Sequence, residues 1–215
     1  PRTSALGMAA LLGASLLWGL GHIADIMAIQ HLAVVAFWPL AAWALLGNRI
    51  AWVLLFPYTY LLFAVPTGEA LVPTLQDITA YFSVTLLQWT GLPVLLEGRH
   101  ISIPSGDFVV AEACSGINYL IASLALGTLY AYLQYRSPWR RAAFVLLSLL
   151  VPIAANGLRA YGIIMLAHLS DMKLAVGVDH IIYGWLFFGL VSLLMFWLGN
   201  FFREDLQPAP PSPTG

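Results

Sequence analysis

The sequence predicts an all-α polytopic membrane protein, with about six to eight membrane helices, some of them short or re-entrant. Its 215 residues are 60% hydrophobic and only 9% charged, and the mean hydropathy is +0.85. A soluble domain contains about 25% charged residues, so this composition excludes a soluble globular protein. Within lipid every backbone polar group needs an internal partner, and long apolar runs therefore favour helices.

The first 65 residues contain three apolar runs, at 4–20, 32–47 and 50–65. The less apolar residues 21–31 connect the first two runs, and Asn48-Arg49 separates the second from the third. A membrane span takes about 17 to 25 residues, so these runs are short or include flanking residues.

The fourth segment, residues 71–96, is amphipathic rather than uniformly apolar. It carries Gln76, Asp77, Thr79, Ser83, Thr85 and Gln88 among apolar and aromatic residues. This pattern predicts a helix that lies on the membrane surface or lines the protein interior.

The least membrane-like part follows, at residues 98–110. Turn-forming residues Pro104-Ser105-Gly106-Asp107 separate two short apolar stretches. This arrangement predicts a short β-hairpin immediately before Cys114.

The rest of the chain contains four further apolar runs, at 116–134, 142–155, 160–169 and 180–202. We predict one integral-membrane domain over residues 1–203 and a Pro-rich tail or linker over 204–215.

Charge asymmetry predicts the orientation. The densest basic loop, which contains Arg136, Arg140 and Arg141, is expected in the cytoplasm. The span 116–134 then starts at the outer face, next to Cys114. The following span returns to that face at Arg159, and the last span starts there at His180. This parity requires that neither 71–96 nor 160–169 adds a full crossing.

These three residues suit nucleophilic acyl transfer. Cys114 is the single cysteine of the chain and stands at a predicted helix start, where the peptide dipoles favour a thiolate. His180 can act in turn as base and acid. Arg159 offers a permanent positive charge to a developing oxyanion.

Three further residues are candidates for a supporting role. Asn156 would share a helical face with Arg159 and could orient a partner or donate to the oxyanion. Asp179 could cap the helix that starts at His180. Glu112, two residues before Cys114, would disfavour the thiolate if ionised close to it, unless it binds Arg159 or stays protonated.

Other function classes have no support in the sequence. It contains no His-Glu-x-x-His motif and no paired Cys/His spacing, so we predict no metal site and no cofactor. The nine basic residues are spread along the chain, so we predict no nucleic-acid partner. His22, His31 and His168 are interpreted as interface or packing residues.

The motifs Glu112-Ala113-Cys114-Ser115-Gly116 and Asn156-x-x-Arg159, followed by His180, resemble those of the exosortase/archaeosortase family. The similarity covers most of the chain and is greatest to bacterial exosortase A. The family consists of multispanning membrane cysteine transpeptidases. The resemblance implies that Cys114, Arg159 and His180 are catalytic.

The resemblance also implies the reaction and its setting. The enzyme would cleave C-terminal Pro-Glu-Pro sorting signals of exported proteins through a thioacyl intermediate, and would pass the acyl group to an unknown acceptor linked to exopolysaccharide or envelope assembly. It would lie in the bacterial inner membrane, with its site facing the periplasm and membrane-anchored substrate proteins as partners. An anionic glutamate in the signal needs a nearby cation, for which Arg159, Arg99 and His100 are candidates.

Two alternatives remain open from the residues. A membrane acyltransferase could use the same Cys114. In a non-enzymatic transporter or channel subunit, Arg159 would line a path and Cys114 would be dispensable. The transporter hypothesis has less support from the sequence, because the charged residues cluster at helix ends more than in the middle of spans.

Overall fold

The computed structural model describes residues 3–65, 68–172 and 180–204, with the backbone alone for 180–183. The chain forms two compact units, Pro1–Ala70 and Leu71–Gly215. Among the described residues, five helical segments are long and apolar enough to cross a membrane: Ala5–Ile23, Met27–Leu46, Gly68–Trp89, Glu112–Gln134 and Pro138–Leu169. The predicted class, an all-α polytopic membrane protein, is confirmed. A single domain over 1–203 stays a prediction.

The first unit is built on a pair of closely packed helices, α1 (Ala5–Ile23) and α2 (Met27–Leu46). A Cβ on Gly7 would lie 2.7 Å from the backbone nitrogen of Ala44, so the two helices meet almost backbone to backbone. The Ser4 side chain caps α1 by accepting a hydrogen bond from the Gly7 N–H at 3.2 Å.

The third apolar run does not form one helix. It divides into α3 (Asn48–Val53), α4 (Leu55–Tyr60) and a 3₁₀ turn at Leu61–Ala64. Pro57 has no N–H to donate to the carbonyl of Val53, which accounts for the break between α3 and α4. The apolar composition predicted one continuous run here. The interruption that Pro57 causes was not predicted.

A 3₁₀ turn at Gly68–Leu71 precedes α5 (Val72–Trp89), the predicted amphipathic helix and the first helix of the second unit. One face of α5 is buried, and it consists of Leu75, Gln76, Thr79, Ala80, Ser83, Val84 and Leu87. Two locations were predicted for this helix, the membrane surface and the protein interior. The buried face shows that α5 lines the interior.

A three-stranded antiparallel sheet follows, with the order β1 (Leu95–Glu97), β2 (His100–Ile103) and β3 (Gly106–Val109). The predicted hairpin is β2–β3, with Ile101 opposite Phe108. Strand β1 was not predicted, because Leu95 and Leu96 continue the apolar pattern of α5. Ile101 and Ile103 are buried and belong to the same hydrophobic core as α5 and α7.

Three long helices complete this unit: α6 (Ile117–Gln134), α7 (Pro138–Leu169) and α8 (His180–Asn200). The sequence suggested two runs, 142–155 and 160–169, but α7 is continuous over 32 residues. At 1.5 Å per residue it extends for about 48 Å, beyond a hydrocarbon core of about 30 Å. Residues 160–169 therefore prolong one crossing and do not add another.

Helices α6 and α8 run in the same direction, and α7 runs against them. At one end the Tyr119 ring of α6 stacks on Phe188 of α8, with 5.0 Å between ring centroids. At the other end the Tyr135 hydroxyl, just after α6, donates to the Gly199 carbonyl at 2.7 Å. The starts of α6 and α8 therefore lie at one end of this helix bundle, as the charge asymmetry predicted.

Glu204 fixes the end of α8 to the basic loop at the opposite end. Its carboxylate accepts hydrogen bonds from the backbone N–H groups of Arg136 and of Ser137, the latter at 2.9 Å, and it pairs with the Arg140 Nε at 3.4 Å. These donors hold the pKa of Glu204 below its ordinary value. Most of the predicted tail, residues 205–215, lies outside the described residues.

Close packing of α6 on α7 yields a testable prediction. A Cβ on Gly127 would lie 1.9 Å from the Ser148 Oγ and 2.5 Å from its Cβ, so Gly127→Ala requires the helices to separate. We expect the substitution to cost about 1 to 3 kcal/mol of unfolding free energy in detergent micelles.

The matched control is Gly162→Ala on α7, where a Cβ would meet nothing within 4 Å. Adding Ser148→Gly to Gly127→Ala should recover part of the lost stability, because it vacates the space that the new methyl group needs. Equal stability of Gly127→Ala and Gly162→Ala would contradict this packing.

Candidate active site around Cys114

The Cys114 segment is a tight connection between β3 and α6. A 3₁₀ turn, Glu112–Cys114, is closed by the Cys114 N–H donating to the Ala111 carbonyl at 2.9 Å. Gly116 follows with a φ of +80° and caps α6. A Cβ there would also lie 2.7 Å from the Asn156 Cγ, so glycine is required both by its backbone conformation and by the close approach of α7.

Two buried amide side chains anchor this segment. Asn156 Nδ2 on α7 donates to the Cys114 carbonyl at 2.9 Å and to the Thr79 Oγ1 at 3.0 Å. Gln76 Nε2 on α5 donates to the Val110 carbonyl at 2.8 Å. The two ends of the Val110–Cys114 stretch are thus fixed to two different helices.

A close contact between α5 and α7 brings these groups together. The Ser83 Oγ donates to two carbonyl oxygens, that of Thr79 at 2.7 Å and that of Gly157 at 3.2 Å. A Cβ on Gly157 would lie 2.4 Å from the Phe82 ring, so only glycine permits this approach. Small and hydroxyl-bearing residues commonly let membrane helices pack this closely.

Cys114, Asn156 and Arg159 line one cavity of about 140 Å³. Its other walls are apolar and come from the hairpin and α7: Ile101, Phe108, Val109, Val110, Ala160, Ile163 and Ile164. Cys114 is half-buried, and Arg159 is only 7% exposed. The structure thus joins two predicted catalytic residues and the predicted supporting Asn156; their catalytic roles stay predictions.

Arg159 lies among aromatic side chains. Its Cζ is 5.5 Å from the centroid of the Tyr119 ring, within the range of a cation–π interaction. Tyr119 in turn stacks on Phe188 with an interplanar angle of 21°. The sequence analysis assigned no role to Tyr119, which lies five residues after Cys114.

His180 is the first residue of α8, at the same end of the bundle as Cys114. Its side chain and the whole of Asp179 lie outside the described residues. One turn later, Gly184 is buried, and a Cβ on it would lie 3.2 Å from the Arg159 Nη2. A side chain at position 184 of α8 would therefore meet the guanidinium.

Glu112 is exposed and lines a different cavity from Cys114. This second cavity, of about 100 Å³, is also lined by Ser115, Tyr119 and Trp185. Although Glu112 and Cys114 are only two residues apart in the 3₁₀ turn, they line different cavities.

The structure does not bring Arg99 and His100 to the cavity beside Cys114. Arg99 Nε pairs with the Asp77 Oδ1 at 2.7 Å, and its Nη2 donates to the Pro73 carbonyl at 3.1 Å. His100 is exposed at the start of β2. A role for either residue in binding a substrate carboxylate stays a prediction.

His168, interpreted from the sequence as a packing or interface residue, secures the hairpin. Its Nδ1 lies 2.9 Å from the Ser105 Oγ, so the last turn of α7 holds the β2–β3 turn. Within the described residues, no three His, Cys, Asp or Glu side chains are grouped to hold a metal ion.

The Asn156 hydrogen bonds generate a prediction. Asn156→Ala leaves the Cys114 carbonyl without its buried donor, which should cost about 1 to 3 kcal/mol of unfolding free energy. The freed segment should also expose its thiol, so a maleimide should label Cys114 faster than in the wild type. The single cysteine makes this labelling unambiguous.

Asn200→Ala removes an exposed amide at the end of α8 and serves as the control, with wild-type stability and labelling expected. If Asn156→Ala matched Asn200→Ala in both measurements, the proposed anchoring of the Cys114 segment would be wrong.

Comparison with known proteins supplies the family. The chain matches the model of the transmembrane exosortase family (Exosortase_EpsH) over residues 1–197. No curated protein and no solved structure gives a significant match. The family match covers most of the 215 residues and includes the whole Cys114 cavity. This multi-pass membrane protein therefore belongs to the transmembrane exosortase family, whose members are cysteine-type membrane transpeptidases that sort proteins.

Proposed function

We propose that this protein is a cysteine endopeptidase and transpeptidase that cleaves Pro-Glu-Pro-type sorting signals at the C-termini of exported, membrane-anchored proteins. The observation that supports it best is the shared cavity of Cys114 and Arg159, at the end of the helix bundle where α8 begins with His180. The cavity thus brings together a candidate nucleophile and a fixed cation, and the candidate proton carrier belongs to the helix that begins at the same end of the bundle.

In the proposed reaction the Cys114 thiolate attacks the scissile carbonyl carbon, and a C–S bond forms. The carbonyl oxygen gains negative charge, which Arg159 stabilises. Collapse of this intermediate breaks the C–N bond, and the leaving amine takes a proton from His180. An acceptor nucleophile then gives its proton to His180, attacks the thioester carbon and releases the thiolate.

The cavity suits the proposed substrate. Its walls from the hairpin and α7 are apolar, which favours proline rings on either side of the scissile region. We assign Arg159 to the oxyanion. A glutamate between two prolines requires a further cation, for which Arg99 and His100 stay candidates.

We further propose that the protein lies in the bacterial inner membrane with this site facing the periplasm. Arg136 lies in the loop between α6 and α7, and Arg140 and Arg141 lie in the first turn of α7, all at the opposite end of the bundle from Cys114. Basic loops stay in the cytoplasm, so the opposite end faces outward.

The proposal predicts a complete dependence on the thiol. Cys114→Ala should reduce cleavage of a co-expressed protein that ends in Pro-Glu-Pro, an apolar helix and basic residues by about 10³-fold or more. Immunoblotting of the precursor and the shortened product measures this in cells. Cys114→Ser should be similarly defective, because a hydroxyl is far less readily ionised than a thiol.

The control is Gly189→Ala on α8, where a Cβ would meet nothing within 4 Å. It should process the substrate like the wild type. Normal processing by Cys114→Ala would overturn the proposal. A loss of solute transport on substitution of Arg159, but not of Cys114, would favour a transporter instead.

A further inference from the structure

We propose that Tyr119 is a positioning residue that holds the Arg159 guanidinium in place for the reaction, with Phe188 and Gly184 as its supports. This inference rests on the function proposed above and deepens it. It assigns to the third residue of α6 a role in orienting a residue of α7, and it makes α8 part of the same arrangement.

The Tyr119 ring links all three helices at this end of the bundle. Its π face attracts the guanidinium of Arg159, whose Cζ is 5.5 Å from the ring centroid. The ring itself is held by stacking on Phe188 at 5.0 Å. The guanidinium thus contacts an aromatic surface that is already fixed against α8.

Gly184 is the second support. A Cβ at this position would lie 2.1 Å from the Tyr119 hydroxyl oxygen, 3.2 Å from the Arg159 Nη2 and 3.3 Å from the Arg159 Cζ. The backbone of α8 therefore contacts both side chains, and a methyl group there would displace them together. Because Gly184 lies in a helix, alanine is acceptable to its backbone, and the consequence is confined to these contacts.

This arrangement matters because an arginine side chain has several rotatable bonds. A donor stabilises an oxyanion well only when it lies about 2.7 to 3.1 Å from the position that the oxygen takes in the transition state. The stacked ring and the helix backbone restrict the guanidinium to one orientation before substrate arrives. A preorganised donor of this kind lowers the barrier without tightening ground-state binding.

The same contacts set the spacing between Arg159 and the start of α8. His180 precedes Gly184 by one helical turn, and residues four apart share a helix face. Moving the Gly184 backbone away from Arg159 would therefore move the first turn of α8 as well.

The test compares four variants of the full chain in detergent micelles, with a synthetic sorting-signal peptide as substrate. Tyr119→Leu removes the ring, Tyr119→Phe keeps it, Gly184→Ala displaces it, and Gly189→Ala is the matched control on the same helix. We expect kcat to fall by about 10- to 100-fold for Tyr119→Leu and Gly184→Ala while KM changes by less than about threefold, because the lost interaction acts in the transition state.

Tyr119→Phe should retain activity within about threefold of the wild type, since the cation–π contact and the stacking need the ring and not the hydroxyl. Gly189→Ala should equal the wild type. Thermal unfolding of each variant separates a positioning role from a loss of fold: Gly184→Ala should lose kcat in the folded protein, and it serves as the second variant if Tyr119→Leu does not fold.

Three results would overturn the inference: wild-type kcat in both Tyr119→Leu and Gly184→Ala, a rise in KM with kcat unchanged, or a Tyr119→Phe variant as defective as Tyr119→Leu. Failure of the proposed function looks different, because the wild type itself would then cleave no peptide, or Cys114→Ala would cleave it normally.

Discussion

The hydrogen bond from the Asn156 amide to the Cys114 carbonyl is the interaction on which the arrangement of the site depends. It fixes a short segment between a sheet and α6 onto the middle of α7, three residues before Arg159. It requires glycine at position 116, where any Cβ would collide with the amide. The same amide donates to Thr79 on α5, so one buried side chain connects three elements of the second unit.

This polar contact also explains what the sequence could and could not predict. Apolar runs and turn residues were sufficient to predict the order of the helices and the β2–β3 hairpin. The break expected around Asn156 and Gly157 is absent because α5 supplies partners for the polar groups, and a lone sequence does not reveal such partners. Strand β1 and Tyr119 were missed for a related reason: two leucines and one aromatic residue give the same sequence pattern in a helix, a strand or a core.

The directions of the last three helices matter more for the site than the number of crossings. The parallel course of α6 and α8, with α7 opposed, places Cys114, Arg159 and the start of α8 at one end of the bundle, whatever α5 does in the membrane. Glu112 lines a separate cavity, and its expected effect on the thiolate, if it is ionised close to Cys114 and neither binds Arg159 nor stays protonated, stays a prediction. Tyr119 also lines the cavity of Glu112, and its ring contacts Arg159. Tyr119 therefore lies between the Glu112 cavity and the Arg159 guanidinium.

The central claim is that Cys114 becomes acylated by the substrate peptide. The most direct measurement is mass spectrometry of the acid-quenched protein, taken within the first turnovers on a synthetic sorting-signal peptide. The account predicts a thioester on Cys114 whose mass equals the peptide up to the cleaved bond. A fatty-acyl mass on Cys114 would indicate an acyltransferase, and efficient cleavage with no adduct, or with an adduct on another residue, would contradict the account.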